Sequence, residues 1–251
     1  MTSPSNVLRF ASQQNVDCRA CHLSSLCLPQ GLSLEEIAEL NDIAQPLAML
    51  RKNEALFLQG MPFTSLFAVR SGSLKQVTTT ETDEYLVTSF FLPGEMVGLD
   101  AIGEKSYPGS AVALETTTVC ELPFERLDDL CASLPELRRR FHRNLSQEVH
   151  NERLMLRLLL RRTADVRLAC FFFAMSERFR RRGYSPYRFR LAMSRGEIGN
   201  YLGLTVETVS RVLARYQQQG LLDIHGRDFH ILDLERLSRL TEASGRRGAA
   251  G

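Results

Sequence analysis

The rhythm of apolar and polar positions changes three times along this chain of 251 residues. Between Leu32 and Ala44, LSLEEIAELNDIA repeats its apolar residues at helical spacing, and Ser33 followed by Glu36 gives it a capping box. From Glu54 to Pro123 the runs shorten. ALFLQG, SLFAVRSGSLKQVTTT, YLVTSFFLPGEMVGL and SAVALETTTVCELP are β-rich stretches separated by Gly, Pro and Asp turn signals. That texture predicts a small antiparallel sandwich or barrel. After Pro135 the spacing lengthens again. Phe141, Leu145, Val149, Glu152, Leu156 and Leu159 step by 4, 4, 3, 4 and 3 along one face of a long helix. A stripe of this kind is the pattern of a coiled-coil seam, so self-association is expected. Glu152 interrupts it. At a two-fold seam it would face its own symmetry mate, and like charges there oppose pairing, which predicts a marginal dimer.

Residues 164–182 read as a further amphipathic helix, closed by the basic run RFRRRG. The sharpest local pattern is MSRGEIGNYLGLTVETVSRVLARYQQQGLL, residues 193–222. Ser194 and Glu197 form a second capping box, and Ile198, Tyr201 and Leu202 give the first helix an apolar face. Gly203 supplies the tight turn, and Thr205 caps a second helix whose Val206, Val209, Val212 and Leu213 are expected to face inward. Gly220 ends that helix, and LLDIHGRDFHILD reads as two short strands around a turn. Helix, turn, helix and hairpin make a winged helix-turn-helix. On the second helix Glu207, Ser210 and Arg211 lie at i, i+3 and i+4 and share the outward face. Arg can fork onto guanine, Glu can accept from cytosine and Ser serves either purpose. Thr205, Thr208, Arg195 and Arg215 are placed for phosphates.

Charge sharpens this division. The net charge is only +2, yet residues 1–135 hold 8 Lys+Arg against 17 Asp+Glu, whereas residues 136–251 hold 23 against 12. Only the second half is suited to a polyanion. The apolar fraction of 44% and charged fraction of 24% are those of a globular chain. No run reaches the roughly 18 apolar residues of a membrane span, and the opening MTSPSNVLRFASQQNVD lacks the pattern of a signal peptide, so a cytoplasmic location is expected. There is no Gly-rich phosphate loop, paired metal-binding His motif or nucleophile elbow, so an enzyme is not expected.

Six cysteines in such a chain favour metal binding or redox chemistry over structural disulfides. Three of them crowd into CRACHLSSLC as Cys18, Cys21 and Cys27. Three thiolates on one loop can reach a single centre. A fourth is needed to complete either a 4Fe–4S cluster or a zinc site, and Cys120, Cys131 and Cys170 are the candidates. From spacing alone, iron–sulfur and zinc remain equally open.

RGEIGNYLGLTVETVSRVL closely resembles the DNA-binding signature of the cyclic AMP receptor protein superfamily, in particular its FNR branch (fumarate and nitrate reduction regulators). The likeness runs from the cysteine cluster through SLFAVRSGSLK and GEMVGLDAIG to the wing. It implies an α+β fold with an N-terminal β-roll like that of cyclic-nucleotide-binding domains, a long dimerisation helix and a C-terminal winged helix. The expected divisions are a ligand loop at 1–30, a roll at 31–134, the helix at 135–162, the DNA-binding domain at 163–240 and a disordered tail at 241–251. Superfamily members that bind a cyclic nucleotide carry a ribose-binding Glu and a phosphate-binding Arg where this chain has Leu99 and Gly109, which argues against such a ligand.

The resemblance also implies a 4Fe–4S cluster held by Cys18, Cys21, Cys27 and, in the matching strand, Cys120. Cys131 and Cys170 are then packing residues. FNR-type regulators lose the cluster to oxygen, separate into monomers and release DNA, so the expected function is an oxygen-responsive transcription regulator. Its operator would be a palindrome with TTGAT and ATCAA half-sites, and a turn at Thr82–Glu84 would contact RNA polymerase. His22, directly after Cys21, reads as an exposed loop residue. The alternative is the same fold with its cysteines on zinc or acting as a thiol redox sensor.

Overall fold

The computed structural model describes residues 17–47, 49–80, 84–161 and 163–242. The expected tail beyond Glu242, the first sixteen residues of the expected ligand loop, and Thr82 and Asp83 of the expected polymerase-contacting turn lie outside them. The chain divides into two compact units, Met1–Glu148 and Val149–Gly251.

In the first unit α1 (Leu34–Ile43) precedes the strands β1 (Gln45–Pro46), β2 (Ala55–Phe57), β3 (Ser65–Ser71) and β4 (Leu74–Thr79). Next come β5 (Tyr85–Phe91), β6 (Met96–Val97), β7 (Ser110–Ala113) and β8 (Thr118–Pro123), then α2 (Phe124–Ser133) and the start of α3 (Pro135–Arg161). The strands form two four-stranded sheets, ordered β1-β8-β3-β6 and β2-β7-β4-β5, with every pairing antiparallel. This is the roll that the short β-rich runs predict. The Ser33 capping box is present: Glu36 N donates to Ser33 Oγ at 3.2 Å and Ser33 N donates to Glu36 Oε2 at 2.6 Å.

Strand alternation decides where the roll keeps each residue. Phe67, Val69 and Val119 point between the sheets and join Leu56, Phe57 and Leu74 in one core. Leu66 and Leu122 point the other way. There they meet Leu28, Leu40, Leu127, Leu137 and Phe141 in a second core beneath the helices. Cys120 neighbours Val119 and therefore shares the outward face of Leu122. It lies in mid-sheet, opposite Pro46 on β1 and Ala68 on β3. The helix α2 is not anticipated by the sequence pattern, since ten residues with Leu127 and Cys131 as the buried pair offer too short a period to recognise.

The second unit contains α4 (Ala164–Arg181), β9 (Arg188–Arg190), α5 (Arg195–Leu202), α6 (Val206–Gln218), β10 (Leu222–His225), β11 (Asp228–Ile231) and α7 (Leu234–Glu242). The wing strands pair in the order β10-β11-β9. Gly203 closes α5 in the left-handed region at φ 62°, a conformation that a Cβ would oppose, and so turns the chain into α6. The inward face of α6 differs in one residue from the expectation. Val209, Val212, Leu213 and Tyr216 are buried, whereas Val206 is 44% exposed. Val206 opens the helix, and its side chain leans back past the first turn, where no neighbour covers it.

Candidate functional site

The cysteine segment is shaped before any ligand is considered. Ser24 N donates to Cys21 O at 3.0 Å, and the Leu26 and Cys27 amides both donate to Leu23 O at 2.9 Å, winding residues 21–27 into tight turns. Leu23 and Leu28 are buried, and Leu28 pins these turns into the second core. Cys18 N donates to Asn41 Oδ1 at 2.9 Å, and Arg19 Nη2 donates to Leu34 O at 2.8 Å, tying the segment to α1.

The result is one pocket lined by Cys18, Cys21, Cys27 and Cys120, with Leu40, Ala44, Ala68 and Leu122 among its walls. Residues about 100 positions apart thus bring their sulfurs to the same cavity. Cys131 is buried on α2 and Cys170 lies on α4, and neither lines the pocket. His22 is exposed. Burial and the neighbouring thiols push Cys18 up to about 12. Burial is also the largest cause at Cys27 and Cys120, each raised to about 11. Two cations act in the opposite sense, Arg140 beside Cys27 and Arg70 beside Cys120. Among the described residues, no three Cys, His, Asp or Glu side chains converge as the ligands of a single ion would. The sulfurs ring a cavity instead.

The positions aligned with a cyclic-nucleotide site are occupied differently. Leu99 opens a 3-10 turn, and the next residue, Asp100, accepts from Gln76 Nε2 at 2.5 Å. At Gly109 a Cβ would stand 2.9 Å from Val77 O and 3.1 Å from Gln76 Nε2. The backbone leaves no room there for any side chain, least of all a long cation.

On α6, Thr205 caps the helix by accepting from Thr208 N at 3.2 Å. Glu207 and Arg211 are exposed and Ser210 is half-buried beside them. Arg211 Nη2 donates to Thr208 Oγ1, and Arg195 Nη1 donates to Ser210 Oγ, both at 3.4 Å. The structure therefore gathers Arg195, Thr205, Glu207, Thr208, Ser210 and Arg211 on one surface. Arg215 is engaged elsewhere: its guanidinium grips Asp165 on α4, with Nε 3.1 Å from Oδ1, while Tyr216 Oη donates to Asp165 O at 2.6 Å. These contacts fasten α6 to α4, a role the sequence pattern does not reveal.

The six stripe residues of α3 also separate. Phe141 is 7% exposed and belongs to the roll's second core, and Leu145 packs against it. Val149 and Leu156 are 50% and 57% exposed, Glu152 is exposed, and Leu159 is half-buried.

With this geometry in place, comparison with known proteins is decisive. Residues 166–240 match the Crp-like helix-turn-helix domain and residues 48–133 match the cyclic nucleotide-binding domain. The transcriptional activator protein Anr of Pseudomonas aeruginosa is 52% identical over 223 residues, covering 89% of this chain and 91% of that one. The chain belongs to the FNR-type branch of the cyclic AMP receptor protein superfamily. The fumarate and nitrate reduction regulatory protein of Escherichia coli K12 is 44% identical over 225 residues, 90% of either chain. FixK2 from Bradyrhizobium japonicum, a solved structure, matches with a TM-score of 0.72 and 28% identity, over 79% of this chain and 97% of its own. FNR-type proteins are transcription regulators, and the winged helix described above is their DNA-binding module. No helix among the described residues is long and apolar enough to cross a membrane.

Proposed function

We propose that this regulator is an oxygen-responsive activator in which a 4Fe–4S cluster, held by Cys18, Cys21, Cys27 and Cys120, favours a homodimer that reads palindromic promoter DNA. The observation that carries the reading is the shared pocket: three thiols from one short segment and a fourth from β8 surround a cavity walled by leucine and alanine. The donor set suits the group, since four thiols are its usual ligands; no imidazole lines the pocket, and its one carboxylate, Asp17, is a harder donor than the sulfurs. Thiols spread around a cavity, rather than gathered on a point, fit a multi-atom cluster better than one zinc ion.

When bound, such a cluster supplies an oxidisable centre whose loss returns the four sulfurs to the thiol state. The chain's own contribution is to keep the thiols in a largely apolar wall, where burial makes Cys18, Cys27 and Cys120 resist ionisation until metal takes the place of their protons. Loading therefore releases protons. On the DNA side, Arg211, Glu207 and Ser210 are the base readers, suited to the G·C pair of a TTGAT/ATCAA half-site. Thr205, Thr208 and Arg195 hold phosphates. Val149, Leu156 and Leu159 carry the seam, with Glu152 opposing it. Phe141 and Leu145 support it from within the roll. RNA polymerase is the further partner, and cyclic nucleotide is not a ligand.

Iron and sulfide analysis of anaerobically purified protein, with DNA binding measured before and after air, tests the reading. The expected result is about four irons per chain and operator binding that air abolishes. A colourless protein with stoichiometric zinc would instead establish the alternative of a zinc or thiol sensor on the same fold.

A further inference from the structure

Three consecutive arginines, Arg138, Arg139 and Arg140, open the long helix, and they do not share a role. Arg139 is exposed and pairs with Glu136 one turn back, its Nε and Nη2 at 2.9 and 2.6 Å from Oε2. Arg140 turns inward. Its Nη2 donates to Leu26 O at 2.5 Å and its Nε donates to Cys27 O at 3.2 Å, joining residues 113 and 114 positions apart. Among the described residues no carboxylate lies within ion-pair distance of it, so a half-buried guanidinium spends its fork on two successive backbone carbonyls. Those carbonyls belong to the turn that carries Cys27. On the helix, the next residue is Phe141, which is locked in the roll's second core.

The segment's other hydrogen-bonded anchors go elsewhere, since Asn41 and Leu34 are on α1 or at its start, while Leu28 shares a non-directional apolar core with Leu137 and Phe141. The Arg140 contacts are thus the hydrogen bonds that connect the cysteine segment to the helix bearing the exposed apolar residues Val149 and Leu156. A guanidinium fork is directional. It holds two carbonyls in one plane, and it lets go of both when the turn rotates.

We propose that Arg140 is a positioning residue that couples the cysteine turn to α3, so that displacement of Cys27 is passed to the self-association helix through its two carbonyls. The inference rests on the proposed cluster site for its biological meaning, but the linkage is a property of the polypeptide and is present without metal. Because the link runs through the backbone of one ligand residue, a change at the sulfurs is felt at the helix without any ligand leaving the segment's other anchors.

The test is hydrogen exchange on the full chain stripped of iron by chelator, comparing wild type with Arg140→Met and Arg140→Lys. Met keeps the stem and removes the fork, and Lys restores a cation with a single donor group. In Arg140→Met, amides of residues 23–30 and of 136–144 should both exchange about tenfold faster, with the β4–β5 hairpin unchanged and Lys intermediate. Faster exchange in the loop alone overturns the coupling, as does an unchanged pattern or equal loosening of β4–β5. Should Arg140→Met not fold, the same comparison between wild type and Arg140→Lys decides, with a smaller change in both segments expected. An anaerobic arm adds the functional readout: Arg140→Met that retains wild-type iron should dimerise about tenfold more weakly in ultracentrifugation. An unchanged dimerisation constant at full iron overturns the proposal. Wild-type protein without iron would sink the cluster reading and leave the exchange result standing.

Discussion

The cysteine pocket and the reading helix are built on opposite terms. Around α6 the groups proposed to meet DNA are already complete: a cap, a carboxylate and two guanidiniums stand in solvent, the guanidiniums held to neighbours by hydrogen bonds at 3.4 Å, near the limit of such contacts. Exchanging those bonds for phosphate or base edges costs little. In the pocket Cys18, Cys27 and Cys120 are raised well above their ordinary value by burial and by neighbouring thiols. Those three sulfurs favour the protonated state until metal replaces the proton. One surface is ready and waits for a partner to arrive; the other is unfinished without one. A sensor needs the second kind of site, because only an unfinished site changes the protein when its occupant leaves.

The sharpest way to break this contrast is to remove the remote sulfur. Cys120→Ser keeps the shape of the sheet but replaces a soft ligand, and bound iron should fall about tenfold or more in anaerobic elemental analysis. Retention of wild-type iron would mean that the pocket is completed by something else. The ready surface should respond more mildly. Arg211→Ala should weaken cognate operator binding by about 1–3 kcal/mol in a titration at fixed salt, with a much smaller loss on random DNA. Equal losses on both would make Arg211 a phosphate contact.

The unfinished state has its own signature in pH. In the cluster-free protein burial pushes Cys18, Cys27 and Cys120 up from 9.0 to about 12, 11 and 11. Between those values the native state holds more protons than the unfolded one, so stability is full below pH 9 and falls as pH rises towards 11. The thiols are partly exposed, and solvent screening trims the loss to about 1 kcal/mol. Urea midpoints of apoprotein at pH 8 and pH 10.5 measure it, and the slope should shrink in Cys18→Ala/Cys27→Ala/Cys120→Ala, with Cys131, which burial also raises to about 11, left to supply the remainder.

The two sites were also unequally legible. The reading helix is local: Ser194, Glu197, Gly203 and Thr205 announce its caps and turn, and both capping interactions are present as spaced in the sequence. The pocket is not local. Spacing brings Cys18, Cys21 and Cys27 together, but Cys120 is chosen over Cys131 and Cys170 by resemblance alone. Only the alternation of β8, pairing Cys120 with Ala68 and Pro46, supplies the physical reason. Arg215 shows the limit of periodicity from the other side. Its position suits a phosphate equally well, and nothing in the sequence points to Asp165, 50 residues earlier, as its partner. The strand β9 and the helix α7 escape notice because three residues, or a single short amphipathic turn series at the chain's end, carry too little period to separate from loop.

The smallest effect concerns the helix between these two sites. Glu152 is exposed on the part of α3 where Val149 and Leu156 also stand in solvent, whereas the stripe's first members, Phe141 and Leu145, are drawn into the roll. The seam proposed for pairing is therefore short, and a single carboxylate forms a large share of it. Two such groups meeting at a two-fold axis in partly exposed surroundings repel by only about 0.5–1 kcal/mol. Glu152→Ala should strengthen dimerisation by about threefold to fivefold in sedimentation equilibrium, with or without iron. The gain should shrink at high salt, as screening weakens the repulsion it removes. A gain indifferent to salt would place the effect in helix propensity instead, since alanine favours the helix whatever its neighbours.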